Sequence, residues 1–329
     1  MAACRADPPG PGVTSSPAPE HGRTAGSGSA DGATASSGKH GPYTPSPGAG
    51  TVASTDPSPG STSDPIRALS PLGSEWGEGF RATSASGRSY GLVLATTRQP
   101  RPDRHAVAYY RLARALGLTS VPPTVGRRVP LATLLDWLGP DPAARDALVP
   151  KAMVSNDGTV TVLLQEQCPG RDVLAADSPE TARWARLASS PQPLAPADAA
   201  AVRGYVEMAL LDYLSGNVAR RTLRLDESSA RICLLDQQQA FPGFLAPKAW
   251  DVLLGRLRPV VRFPRGLAEA LAHFDRAAAE AALRAGGFDQ WLLGPRDVVE
   301  LGDRCATLLT LVRARIEQYG AEVAGSLDP

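Results

Sequence analysis

The chain has 329 residues, a formal net charge of +1 and an aromatic content of only 5%. So balanced a charge excludes the long-range field that would single out nucleic acid or an anionic membrane surface as a partner. Lysine is confined to Lys39, Lys151 and Lys248, so basic chemistry rests almost wholly on arginine, which is not interchangeable with a point-charge ammonium.

From Arg5 to Pro65 only Val13, Tyr43 and Val52 are large and apolar or aromatic. Ordering a chain costs about 1–2 kcal/mol per residue, and with so little to bury, residues 1–65 read as a disordered low-complexity tail or tether. Met1-Ala2-Ala3-Cys4 is similar to the end of a bacterial lipobox, which a tether commonly follows. The basic start and apolar run of about 7–15 residues that an export signal needs do not precede it. As written, the chain reads as cytoplasmic, without a transmembrane segment. A start upstream of Met1 would instead make it an envelope lipoprotein or a secreted protein, on a membrane only if Cys4 is lipidated. Cys168, Cys233 and Cys305 show no Cys-x-x-Cys pair and no neighbouring His, so no metal site is implied. Their spacing does not argue a disulfide.

The remaining residues suit one two-lobed domain, 66–168 and 169–329. Gly77, Gly79, Gly87 and Gly91 suggest a glycine-rich hairpin, and Tyr90 to Thr96 reads as a buried strand. Arg104 to Leu116 is an amphipathic helix with Tyr109, Leu112, Ala113 and Leu116 on one face. Gly117 ends it, and Pro122-Pro123 lead into an edge strand. Leu131–Leu138 and Pro142–Leu148 are short helical patterns. Val149 to Ser155 and Thr159 to Glu166 read as strands joined through Asn156-Asp157-Gly158, residues that tolerate the positive φ of a tight turn. Ser178-Pro179 caps a helix. Pro196 to Ser215 is a long helix with a buried stripe of Val202, Tyr205, Val206, Ala209, Leu210 and Tyr213. Two β-rich runs flank a polar turn from Asp226 to Ser229. Helical patterns at 250–257, 267–283 and 298–316 complete an all-helical second lobe.

The long helix runs into Asp212-Tyr213-Leu214-Ser215-Gly216-Asn217-Val218-Ala219-Arg220-Arg221, and Asp236, within Leu234-Leu235-Asp236-Gln237-Gln238, comes fifteen residues later. This phrase resembles the loop and metal-binding Asp of the secreted Golgi casein kinase and four-jointed family, relatives of phosphatidylinositol-kinase-like and HipA-like kinases. Asp212, Tyr213, Leu214, Gly216, Asn217 and Arg220 match, and Asp236 falls at the metal position. The resemblance implies an α+β, two-lobed protein-kinase-like fold, with a small β-rich N-lobe and a mostly helical C-lobe. It also implies a cleft for ATP and Mg2+. Gln165, Glu166 and Gln167 then stand where a hinge offers backbone groups to adenine.

Against that pattern, the catalytic Asp is Ala219 and the following His is Arg221. The phosphate-pairing Lys is Ala95 or Thr96, its partner Glu is Ala106, and the second metal ligand is Leu223 or Arg224. Phosphoryl transfer depends almost wholly on positioning and charge. The expectation is therefore a pseudokinase that binds a protein partner or holds a nucleotide weakly through Asp236. One alternative is an active atypical phosphotransferase, with Lys151 or an arginine on the phosphates and Asp226 or Glu227 replacing the loop Asp. A helical binding module unrelated to kinases is the other.

Overall fold

The computed structural model describes residues 64–72, 79–176, 178–235, 237–283 and 292–328. The tail, the Trp76-Gly77 part of the glycine-rich hairpin and Asp236 lie outside these residues. Strands β1 (Ile66–Pro71), β2 (Phe80–Ser84), β3 (Ser89–Leu94), β4 (Thr124–Pro130) and β5 (Thr159–Glu166) form an antiparallel sheet in the order β1-β2-β3-β5-β4. Helix α1 (Asp103–Ala115) connects β3 to β4, and α2 (Leu131–Leu138) and α3 (Pro142–Leu148) connect β4 to β5.

The pleat gives this sheet two different faces. Tyr90, Leu92, Leu94, Val160, Val162 and Leu164 pack with Leu134, Leu138 and Leu148 of α2 and α3. Val93 and Leu163, one residue out of phase, join the second core built around α1 and the C-terminal helices. This opposite face roofs the cleft.

The second half carries a small antiparallel sheet of β6 (Arg171–Leu174), β7 (Thr222–Asp226) and β8 (Arg231–Cys233). The helices of this half are α4 (Pro179–Ala188), α5 (Pro196–Ser215), α6 (Pro247–Leu257), α7 (Leu267–His273), α8 (Arg276–Leu283), α9 (Pro295–Tyr319) and α10 (Ala321–Ala324), of which α5 packs against β8. This is a two-lobed α+β kinase-like architecture, with an antiparallel N-lobe and a helical C-lobe. Ser178 caps α4 through a capping box with Thr181, and Pro179 occupies the first turn, where no N–H is needed.

Three expectations need correction. Val149 to Ser155 is not a strand: Val149 caps α3, Lys151 lies in the following turn, and only Val154 bridges to Val160. Helix 267–283 is broken where Phe274 turns inward and Asp275 starts a new helix by accepting from Ala278 N–H at 2.8 Å. Helix α5 has no exposed face from Ala201 to Ser215, so its stripe is a full cylinder, as expected of a helix at the centre of a lobe.

Candidate functional site

Helix α5 stops because Gly216 adopts φ +68°, and Asn217 N–H then returns to the Asp212 carbonyl at 3.0 Å. A side chain is also excluded there, since a Cβ on Gly216 would lie 2.8 Å from the Trp250 ring. The turn directs Arg220 back inside. Its Nε donates to Asp212 Oδ1 and Oδ2 at 2.9 and 3.1 Å, and its Nη2 donates to the Tyr109 hydroxyl at 2.8 Å. The guanidinium also stacks on the Tyr109 ring and reaches the Leu235 carbonyl. Burial pushes the Asp212 carboxyl up against the pull of Arg220, and pushes the Tyr109 hydroxyl well up. One cation thus ties α1, the end of α5 and the segment that precedes Asp236.

The loop framework residues Asp212, Gly216, Asn217 and Arg220 are all buried together, while Val218, Ala219 and Arg221 face solvent. Beyond Asp236, Gln237 is buried and donates to the Leu234 carbonyl. It also accepts from Gln165 Nε2 at 2.8 Å, which links β5 to this segment.

The cleft holds about 290 Å³ between Gly91, Val93, Leu163 and Gln165 above and Leu235 and Arg224 below. The two residues expected at the lysine position lie differently. Ala95 continues the β3 pairing, donating to Thr161 O at 2.8 Å, so it shares the face of Gly91 and Val93. Thr96 instead closes a turn with Gln99. Ala106 of α1 is buried and apolar.

Gln165, Glu166 and Gln167 all line the cleft. The N–H groups of Glu166 and Gln167, however, donate to Pro123 O at 2.9 Å and Ser89 O at 3.0 Å. Lys151 is exposed and outside the residues that line the cleft. Asp226 is held within its own turn by Ser228 and Ser229, which keep its carboxyl below the usual range, and Glu227 pairs with Arg171 at 2.7 Å.

Several site features escaped the sequence. Cys168, at the hinge, forms a disulfide with Cys233 of β8 across 65 residues, with Cα atoms 6.3 Å apart. Glu207 is buried in α5 and accepts from Thr119 and Ser120 N–H at 2.8 and 2.7 Å, anchoring the approach to β4. Its second oxygen accepts from Arg203 at 2.6 Å. Arg81, opposite Gly91 in β2, lines the cleft. Only the alternation of β2 could have indicated it.

Comparison with known proteins gives the fold. No family model matches the chain, and no curated protein matches its sequence. A crystal structure of the Golgi casein kinase matches with a TM-score of 0.53 at 17% identity, covering 79% of this chain and 74% of that one. The Golgi casein kinase with Mn/ADP bound matches at 0.54 and 16%, covering 79% and 76%. Hydra Fam20, solved with sugar, matches at 0.53 and 15%, covering 79% and 88%. The chain therefore has the fold of these kinases.

Proposed function

We propose that this is a pseudokinase, a kinase-like domain that binds a protein partner or a nucleotide and transfers no phosphate. The observation that carries the reading is the loop itself. Asp212, Gly216 and Arg220 are bonded into a closed frame, yet Ala219 stands exposed where the resemblance expects the catalytic Asp. Loss of one positioned acid–base group costs about 10²–10⁴ in rate, and here Ala95 and Ala106 also lack the charges that would hold the phosphates.

A divalent metal with nucleotide, as in the Mn/ADP neighbour, would rest in this chain on Asp236. Among the described residues no three His, Cys, Asp or Glu side chains converge. Arg224, one of the two residues at the position of the second metal ligand, lines the cleft as a cation. Asp236 remains the one candidate metal ligand. The atypical-enzyme reading is disfavoured because Asp226 and Glu227 are committed to their turn and to Arg171. The Cys168–Cys233 bond favours an oxidising compartment as the place of work. Among the described residues no helix is long and apolar enough to cross a membrane.

The test is ATP turnover by the purified chain, measured as ADP release and as label transfer, with Ala219→Asp alongside. Both proteins are expected to stay at background, since Ala219→Asp restores neither missing charge. Turnover by the unmodified chain that disappears in Asp236→Ala would overturn the reading and promote the atypical phosphotransferase.

A further inference from the structure

The Cys168–Cys233 bond lies in the wall of a second cavity, of about 350 Å³, bounded by Val121, Pro122, Pro169 and Ile232. Both cysteines are half-buried, and Cys168 also lines the cleft. Strand register gives the two sulfurs different surroundings. Arg224 of β7 stands opposite Cys233, and Arg231 lies two residues before Cys233 on the same strand face. Opposed residues of an antiparallel pair hold their Cβ atoms about 4.5–5.5 Å apart. Three carboxylates are near. Asp172 accepts from Arg224 Nη1 at 3.0 Å, and Asp226, opposite Arg231, is bonded to Ser228 and Ser229. Glu166, two residues before Cys168, lines the same cavity. Cations therefore flank Cys233, whereas a carboxylate precedes Cys168. Beyond Cys233, Leu234 N–H donates to Ser120 O at 2.7 Å and the Leu235 carbonyl accepts from Arg220. The bond thus ties the hinge to the strand that leads into the Arg220 frame and Asp236.

We propose that the Cys168–Cys233 bond is a thiol–disulfide exchange site for a small thiol, and that opening it releases the hinge from β8. The entering thiolate attacks Cys168 Sγ and forms a mixed disulfide there. The Sγ–Sγ bond breaks, and its electron pair leaves on Cys233 as a thiolate beside Arg224 and Arg231. A second thiolate attacks the outer sulfur of the mixed disulfide, releasing Cys168 as a thiolate together with a small-molecule disulfide. Two thiols are oxidised, and the protein bond takes up their two electrons. A neighbouring cation lowers a thiol's pKa, and the thiol of lower pKa leaves faster, which sets the direction of attack. At about 350 Å³ the cavity falls within the range of small-molecule sites, about 300 to 1,000 Å³. The hinge amides of Glu166 and Gln167 donate to Pro123 and Ser89, both on the N-lobe side, so the opened hinge keeps those bonds and loses its covalent link to β8.

The full chain is treated with 2-mercaptoethanol under native conditions, its thiols are blocked with iodoacetamide at intervals, and the adducts are mapped by mass spectrometry. The rate is expected to rise in proportion to thiolate, with the mixed disulfide on Cys168 and the alkylated thiol at Cys233. Arg231→Gln, a change at an exposed side chain, should slow exchange about two- to threefold at an unchanged melting temperature, and Arg231→Lys should slow it less. Amide hydrogen exchange is then compared between the oxidised and reduced chains. Reduction should speed exchange from Glu166 to Gly170 and from Arg231 to Leu235 while leaving α5 protected, and Cys168→Ser with Cys233→Ser should show the same pattern without thiol. Reduction that occurs only at urea concentrations that unfold the chain overturns the exchange site. Adducts shared equally between the two cysteines, or an Arg231→Gln variant as fast as the native chain, overturn the direction of attack. Hinge amides equally protected in both forms overturn the release of the hinge.

Discussion

Arg220 and Asp212 have no exposed side-chain surface, and each satisfies the other. Moving such charges out of water costs several kcal/mol per ion, an amount their attraction offsets only while both are present. The raised carboxyl of Asp212 shows that burial outweighs the pull of its partner. Arg220→Met should therefore cost about 3–5 kcal/mol, because it strands a buried carboxylate and frees the Leu235 carbonyl. The double variant Arg220→Met, Asp212→Leu should cost less than the sum of the two singles, as measured by urea unfolding. Additive losses would show that the two residues act independently and that the ion pair does not organise the loop.

At the scale of elements, α2, α3 and α5 were legible because each has a start or a stop of its own, Pro142 and Pro196 at the first turns of α3 and α5, Gly139 and Gly216 at the ends of α2 and α5. The segment after α3 was not legible. Its apolar residues Val149, Met153 and Val154 look like a strand, yet Met153 N–H is claimed by the Ala95 carbonyl at 2.8 Å, a contact between residues far apart in sequence. The disulfide was hidden for the same reason, since only the fold brings the hinge beside β8. Closing a loop of 65 residues, it should contribute about 2–4 kcal/mol. Reductant should lower the melting temperature of the native chain and leave a Cys168→Ser, Cys233→Ser variant unaffected. A native chain indifferent to reductant would mean that the bond contributes nothing to stability.

For the whole molecule, the sequence predicted two lobes and the loop that serves them, because the Asp212–Arg221 phrase carries its own local chemistry. It could not predict the charge map of the cleft. Arg81 and Arg224 meet there, and Gln237 reaches the cleft residue Gln165, only through strand register and lobe packing. The first stretch of the chain, residues 1–54, poses the remaining question of scale. A fully buried aliphatic side chain contributes about 1.5–3 kcal/mol, and beyond Cys4 the stretch offers only Val13, Tyr43 and Val52 as sizeable apolar groups. Even if all were buried, the gain would be small against an ordering cost of about 1–2 kcal/mol for each residue fixed. Removing residues 1–54 should therefore leave the urea midpoint and melting temperature of the remaining chain unchanged, and limited proteolysis should reach a stable core near that boundary. A deletion that lowers the melting temperature by several degrees, or a tail cut no faster than α5, would show that these residues pack on the domain despite their composition.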